Sequence, residues 1–123
     1  MLFRSSGYWA VKMSVVERTR LRAVVAQGLP AHHYFQPEWQ SVALKTPEYL
    51  MDLLPARAMV YGVKETLDEF LAFGPKMSLK TLGLLDKPSA PMLLVNGAHD
   101  SQVPVADLHL VAQTVPEIGR AHV

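Results

Sequence analysis

Apolar residues along the chain form two short runs, with helix-spaced patterns on either side. The runs cover residues 21–26 (LRAVVA) and 91–96 (PMLLVN), and a glycine follows each of them closely. Short apolar runs that end at such breakers predict two buried strands of a parallel sheet. Apolar positions at helical spacing in residues 8–16 and 105–115 predict one helix before the first strand and one after the second.

The segment 31–81 between the two predicted strands has a different pattern. Prolines divide it into short pieces, of which residues 47–54 and 63–73 have the clearest helical spacing. We therefore expect a helical cap or lid insertion, and residues 79–85 to finish a helix beneath it. The order helix, strand, helical insertion, strand, helix predicts an α/β protein with part of a doubly wound parallel sheet.

Composition narrows the class of ligand. The chain has 123 residues, a formal net charge of +1 and no cysteine. This balance gives no basic field for nucleic acid or an anionic membrane, so we expect a small-molecule partner. Thiolate metal sites and disulfides are excluded, which leaves the redox compartment undetermined. Because the sequence shows no pattern of a signal peptide and no apolar stretch of about 18 residues, we expect a cytoplasmic protein. The length suffices for one small core but is short for a complete α/β domain.

Acidic residues follow the second predicted strand. That strand stops before Gly97 and places Asp100 at its carboxyl end, where open α/β sheets hold their sites. The alternative is a helix cap or a solvated charge. Asp107 lies within the following helix, and we expect it to be an exposed surface charge. We assign no catalytic role to His99.

A histidine pair with aromatic neighbours follows the first predicted strand. His32, His33 and Tyr34 would lie at the same sheet edge as Asp100, where they could contact a substrate. The alternative is that the aromatic residues anchor the insertion while one histidine caps a turn. We expect no metal site, because adjacent histidines rarely face one ion and no third ligand is evident.

The runs GYWAVKMSVVERTRLRAVVAQG, HHYF and NGAHDSQVP occur in this order. Together they resemble the second half of an α/β-hydrolase of the esterase FrsA type, which is related to the polyketide-shortening hydrolases. The resemblance covers about residues 6–117. It implies a partial α/β-hydrolase fold and a catalytic triad in the order serine, aspartate, histidine.

The resemblance implies roles for particular residues. Asp100 would be the triad acid, and Ser5 lies at the nucleophile position of the G-x-S-x-G elbow. Gly7 matches the final glycine of that motif, but Phe3 stands where the first glycine belongs, so we expect a damaged elbow. We do not expect His122 to be the triad histidine, because it follows the last predicted helix too early.

Both ends of the chain resemble translated sequencing-adaptor DNA. We therefore expect residues 1–5 and 118–123 to be non-native and the hydrolase domain to be truncated at both ends. The resemblance implies a fragment of a serine hydrolase acting on an ester or acyl substrate without a metal or organic cofactor, inactive as this chain. Two alternatives stay open: a carbon–carbon bond hydrolase of polyketide-like substrates, and a non-catalytic protein-interaction module. The sequence also leaves open whether the chain forms a homo-oligomer.

Overall fold

Three parallel strands form the sheet at the centre of the protein. The computed structural model describes residues 6–45 and 53–115, together with the backbone of 118–122. The strands are β1 (Val24–Gln27), β2 (Met92–Asn96) and β3 (Ile118–His122), in the order β1-β2-β3. Because all pairings are parallel, the carboxyl ends of the strands share one edge. The predicted α/β class is confirmed.

In the described residues, five α-helices and two 3-10 helices accompany the sheet. The α-helices are α1 (Ser6–Val16), α2 (Pro37–Ala43), α3 (Leu53–Tyr61), α4 (Leu67–Phe73) and α5 (Val105–Thr114). The 3-10 helices span His33–Phe35 and Gly74–Met77. The helices predicted before β1 and after β2 are therefore present as α1 and α5. The sequence did not predict β3, which follows α5.

The sheet buries one of its two faces. Ala26 of β1 and Leu94 of β2 lie opposite each other in the register and are fully buried. They belong to the same core cluster as Val11 of α1 and Leu108 of α5. On the other face, Val25 and its register partner Leu93 are 63% and 38% exposed. The predicted strands are thus buried on one face, whereas their other face is partly exposed in the described part of the chain.

The two ends of the segment between β1 and β2 meet. The N–H of Leu79 donates a hydrogen bond to the carbonyl of Ala31 at 2.8 Å. Nearby, a Cβ added to Gly74 would lie 2.5 Å from the carbonyl oxygen of Phe35, so the glycine allows the two 3-10 helices to approach closely. The two ends of the segment 31–81 therefore lie next to each other.

Inside this segment, several helix bounds differ from the prediction. Pro55 was expected to follow a helix, but it is the third residue of α3, in a first turn where its missing N–H removes no intrahelical bond. Residues 46–52 lie outside the described part. Helix α4 begins only after Thr66, whose hydroxyl accepts the N–H of Glu69 at 3.4 Å.

Residues 79–85 form turns instead of the predicted helix end. Gly83 has a φ of 73°, and its N–H donates to the carbonyl of Lys80 at 3.0 Å. Leu84 then donates back to the carbonyl of Leu79. A left-handed residue at this position ends the helical path, which is why the apolar spacing misled the prediction.

Candidate active site

The residues predicted to carry the site lie at one edge of the sheet. Asp100 is in the loop that follows β2, and His32, His33 and Tyr34 are in the turn that follows β1. The strands are parallel and hydrogen-bonded, so these two segments emerge side by side. Within the described residues, the sequence-predicted positions thus follow neighbouring strands at the same edge of the sheet.

The Asp100 carboxylate organises its own loop. Its Oδ1 atom accepts the N–H of Gln102 at 2.8 Å and the N–H of Val103 at 3.1 Å. The backbone N–H of Asp100 itself donates to the carbonyl of Gly97 at 3.3 Å. An aspartate that accepts N–H groups two and three residues ahead fixes its own side chain as well as the turn. The carboxylate is therefore held at the carboxyl end of β2.

Asp107 is fully buried, so the prediction that it is a surface charge is wrong. Its Oδ1 accepts the N–H groups of His32 at 3.0 Å and His33 at 2.7 Å. Its Oδ2 accepts those of Ala31 at 3.0 Å and Tyr34 at 3.1 Å. Four charge-assisted hydrogen bonds offset the cost of removing the carboxylate from water.

The sequence contained a signal for this burial. Asp107 lies one turn before Val111 and directly beside Leu108, two fully buried residues of α5. Residues spaced by four lie on the same helix face, so position 107 points into the core. The charge alone suggested exposure, because a buried aspartate needs partners that only the tertiary structure supplies.

His32 is held through its Nδ1 atom, which lies 2.7 Å from the hydroxyl oxygen of Ser78. That hydroxyl accepts the N–H of Thr81, and the amide nitrogen of Gln36 lies 3.4 Å from the same Nδ1. The same amide nitrogen donates to the carbonyl of His32 at 3.1 Å, so Gln36 and Ser78 together position this histidine. Burial lowers the pKa of His32, and the nearby His33 and Lys80 lower it further, against an opposing effect of Asp107.

The residues that follow His32 differ in burial: two aromatic residues are buried, whereas His33 is exposed. Tyr34 and Phe35 are buried in the core, and the side-chain amide of Gln40 donates to the carbonyl of Tyr34. This agrees with the alternative in which aromatic residues anchor the insertion. His33 is exposed. Contact of His32, His33 or Tyr34 with a substrate stays a prediction.

Helix α1 approaches the end of β1 through Gly7. A Cβ on this residue would lie 2.6 Å from the carbonyl oxygens of both Gln27 and Gly28. Only glycine permits this approach of the first turn of α1 to the backbone. The resemblance gave Gly7 as the final glycine of the elbow, and this packing supports that match. Ser5 and Phe3 lie outside the described residues.

Aromatic contacts join α1 to the insertion and also occur within the insertion. The rings of Tyr8 and Phe35 meet edge to face with centroids 5.4 Å apart. The guanidinium of Arg57 lies 5.7 Å from the centroid of the Tyr34 ring, and Tyr61 stacks on Phe73 at 4.7 Å.

Three buried polar atoms have no hydrogen-bond partner among the described residues: the Tyr8 hydroxyl, Trp39 Nε1 and Asn96 Oδ1.

The described residues contain neither a cluster that could bind a metal ion nor a helix that could span a membrane. In 6–45, 53–115 and 118–122, no group of three histidine or acidic side chains is placed to hold a metal ion. No helix in these ranges is long and apolar enough to cross a membrane.

A parallel sheet with an acid loop after β2, a helical insertion after β1 and a helix packed through Gly7 is the arrangement of the α/β-hydrolase class. The sequence model of the family described as "Esterase FrsA-like" matches residues 1–121. The chain therefore belongs to the FrsA-like esterase family.

Two solved structures of one protein share this fold. Two structures of AbyA5 are similar, with TM-scores of 0.66 and 0.72 and identities of 23% and 24%. They are matched over 95% and 96% of this chain, which spans 32% and 31% of theirs, or about a third of their length. A structure titled as an alpha/beta fold family hydrolase from Bacillus anthracis str. Sterne has a TM-score of 0.47 and 14% identity, covering 94% of this chain and 55% of that one. A comparison with curated proteins finds no match.

Proposed function

We propose that this chain is part of a serine hydrolase that cleaves a carboxylic ester or a related acyl bond, with Asp100 as the acid of its triad. The observation that carries this proposal is the position of Asp100. Its loop leaves the carboxyl end of β2, at the same edge where Gly7 packs α1 against the end of β1. An acid and a helix N-terminus at one sheet edge suit the chemistry of acyl transfer.

Each group has a distinct task in this reaction. The serine hydroxyl, for which Ser5 has the matching position, attacks the acyl carbon while a histidine takes its proton. Asp100 accepts an N–H from the same ring, which fixes the tautomer and stabilises the imidazolium. Backbone N–H groups at the start of α1 stabilise the oxyanion. Water then releases the acyl group from the serine.

The 123-residue chain is inactive by itself in this proposal. Phe3 occupies the place of the first elbow glycine, and its side chain would crowd a turn that glycine allows. Without the correct turn, the hydroxyl is not presented to the substrate. Proximity and orientation account for much of the rate in such reactions, so a displaced nucleophile loses most of it.

Hydrolysis of p-nitrophenyl acetate and butyrate tests the inactivity. We expect the chain to release nitrophenol no faster than Ser5→Ala and His122→Ala variants do. Turnover that disappears in Ser5→Ala would show that the elbow works and that this part of the proposal is wrong.

The proposed esterase activity is tested by assaying the natural protein encoded at the genomic locus. There, Asp100→Asn should lower kcat for the ester by about 10⁴-fold, as expected when a triad acid no longer fixes the histidine tautomer. The matched control is Asp86→Asn, which changes an exposed acid outside the site. Equal activity of the two variants would remove Asp100 from the triad.

A further inference from the structure

His32 is held in place by hydrogen bonds from three sides. Its backbone N–H donates to Oδ1 of Asp107 at 3.0 Å, and its carbonyl accepts the side-chain amide of Gln36 at 3.1 Å. Its ring nitrogen Nδ1 lies 2.7 Å from the hydroxyl oxygen of Ser78. Side chains that bind a substrate are usually fixed by such supporting bonds, because a freely rotating ring loses entropy when it binds. Both the backbone and the ring of His32 therefore meet this condition for a binding residue.

The turn that contains His32 contacts the helix that follows the Asp100 loop. Asp107 lies in the first turn of this helix, α5, and its carboxylate accepts the N–H of His32. Because β1 and β2 are neighbouring parallel strands, the turn after β1 and the loop after β2 share one edge of the sheet. The first turn of α1 packs against the end of β1 at the same edge, through Gly7. His32 thus follows β1 at the edge where the proposed function places the ester.

The hydroxyl of Ser78 is suited to decide which ring nitrogen of His32 carries the proton. Ser78 is fully buried, and its Oγ accepts the N–H of Thr81 at 3.2 Å. That bond occupies a lone pair of the oxygen and leaves the O–H proton available for Nδ1 of His32. Burial lowers the pKa of His32, which favours the neutral ring and an Nδ1 that can accept. In a neutral imidazole, the bond made by one nitrogen determines the protonation of the other.

We propose that Ser78 is a positioning residue for His32: its hydroxyl donates to Nδ1, so that Nε2 carries the ring proton and donates to an acceptor oxygen on the acyl chain of the substrate. This inference rests on the proposed function, which assigns the ester carbonyl to the N–H groups at the start of α1. A further donor at the same edge then selects a second oxygen. The preferred substrate is therefore an ester whose acyl chain carries a ketone or an ether oxygen.

The position of the ring proton tests the role of Ser78 without a ligand. Long-range proton–nitrogen NMR spectra of the chain distinguish the two neutral tautomers of each imidazole, and His32→Asn identifies the His32 signals by their loss. We expect the proton on Nε2 at about pH 8, where the ring is neutral. A proton on Nδ1 would mean that the ring donates to Ser78, and the proposal would be wrong.

Two pairs of methyl esters test the acceptor oxygen by NMR titration of the same chain, which should not hydrolyse them. Methyl levulinate carries a ketone that methyl pentanoate lacks, and methyl methoxyacetate has an ether oxygen in place of a methylene of methyl butanoate. We expect at least one oxygenated ester to bind about 5-fold more tightly than its partner, the factor for one net hydrogen bond. Equal affinities within both pairs, or no binding of any of the four esters, would overturn the proposal.

A matched variant separates positioning from packing. Ser78→Ala removes the hydroxyl that holds Nδ1, so the preference for the oxygenated ester should fall below about 2-fold. Ser89→Ala removes another buried hydroxyl, which donates to the carbonyl of Ala90 just before β2, at the opposite edge of the sheet. This control should keep the preference. Equal loss in the two variants would count against a specific role of Ser78.

The proposed function and this inference fail in different ways. Selective binding of the oxygenated esters by a natural protein that lacks esterase activity would refute the proposed function and leave the His32 donor in place. Esterase activity of the natural protein without this selectivity would refute only the role of Ser78 and His32.

Discussion

The carboxylate of Asp107 and the backbone N–H of His33 are joined by a 2.7 Å hydrogen bond across 74 positions of sequence. The bond connects the helix after β2 to the turn after β1. Three further N–H groups of the same turn donate to this carboxylate. The turn that presents His33 at the sheet edge is therefore fixed by one side chain of α5.

Replacement of Asp107 should destabilise the protein strongly. Asp107→Ala leaves four backbone donors without their acceptor, and Asp107→Asn turns an amide NH₂ toward two of them. We expect each change to lower the free energy of unfolding by about 3 kcal/mol or more, because bonds to charged groups are the strong ones. Urea denaturation measures the loss.

Asp68→Asn is the control for Asp107, because this acid is exposed in the first turn of α4. It should change stability by less than about 0.5 kcal/mol. An Asp107→Ala variant as stable as this control would show that the four bonds contribute nothing.

Asp100→Asn should keep the fold. Asparagine retains the oxygen that accepts the N–H groups of Gln102 and Val103, so the turn can form as before. We expect a loss below about 1 kcal/mol, and a larger loss in Asp100→Ala, which removes the acceptor. Urea midpoints of the two variants compare them directly. A loss from Asp100→Asn as large as that from Asp107→Asn would mean that Asp100 is structural.

Stability should fall as the pH drops below about 7 because of His32. Its pKa is lowered in the folded protein, chiefly by burial, so the unfolded chain binds a proton first. The stabilisation is complete above the ordinary pKa of histidine, about 6.5, and is lost as the pH decreases toward the folded value. Urea midpoints measured from pH 8 to pH 5 should show this decline.

His32→Asn is the informative variant for the pH dependence. Its side-chain amide can form a hydrogen bond with the Ser78 hydroxyl in place of Nδ1, but it does not titrate. The decline between pH 7 and pH 5 should become shallower in this variant, whereas His99→Gln, which replaces an exposed histidine that is not among the causes of the His32 shift, should keep the wild-type slope. An unchanged decline in His32→Asn would show that His32 is not its cause.

Gly7→Ala should be more harmful than Gly28→Ala. A methyl group at Gly7 would lie 2.6 Å from two backbone carbonyl oxygens, which cannot rotate away, so α1 must shift. We expect a loss of about 3 kcal/mol, as in overpacked cores. Gly28 has a φ of 58° but open space around it, so alanine there costs about 1 kcal/mol of backbone strain. Thermal unfolding of both variants tests the order, and equal losses would contradict the close approach of α1.

The elements next to the sheet could be predicted from sequence because their signals are local. The apolar run before Gly97 gave β2 within one residue, and helical spacing gave α5. Pro55 was taken as a helix end, since its tolerated place in a first turn depends on where the helix begins. The apolar spacing of residues 79–85 did not reveal that Gly83 is left-handed.

The candidate site was predictable only in part, for a related reason. Asp100 directly follows a strand, so its place at the sheet edge comes from local sequence. The partners of Asp107 and His32 lie 73 to 76 and 46 positions away, respectively. The local sequence pattern does not indicate such distant partners. Burial of a charged side chain can be inferred only when its hydrogen-bond partners are known.

The hydrogen bond between Leu79 and Ala31 closes residues 31–81 into a loop whose ends are neighbours. Such a segment can be lengthened, shortened or replaced without changing the distance that the rest of the chain must span. The sheet and the acid loop can then stay constant while the residues above them vary. In an enzyme built this way, new substrate preferences can evolve by exchange of the insertion, with little effect on folding of the base.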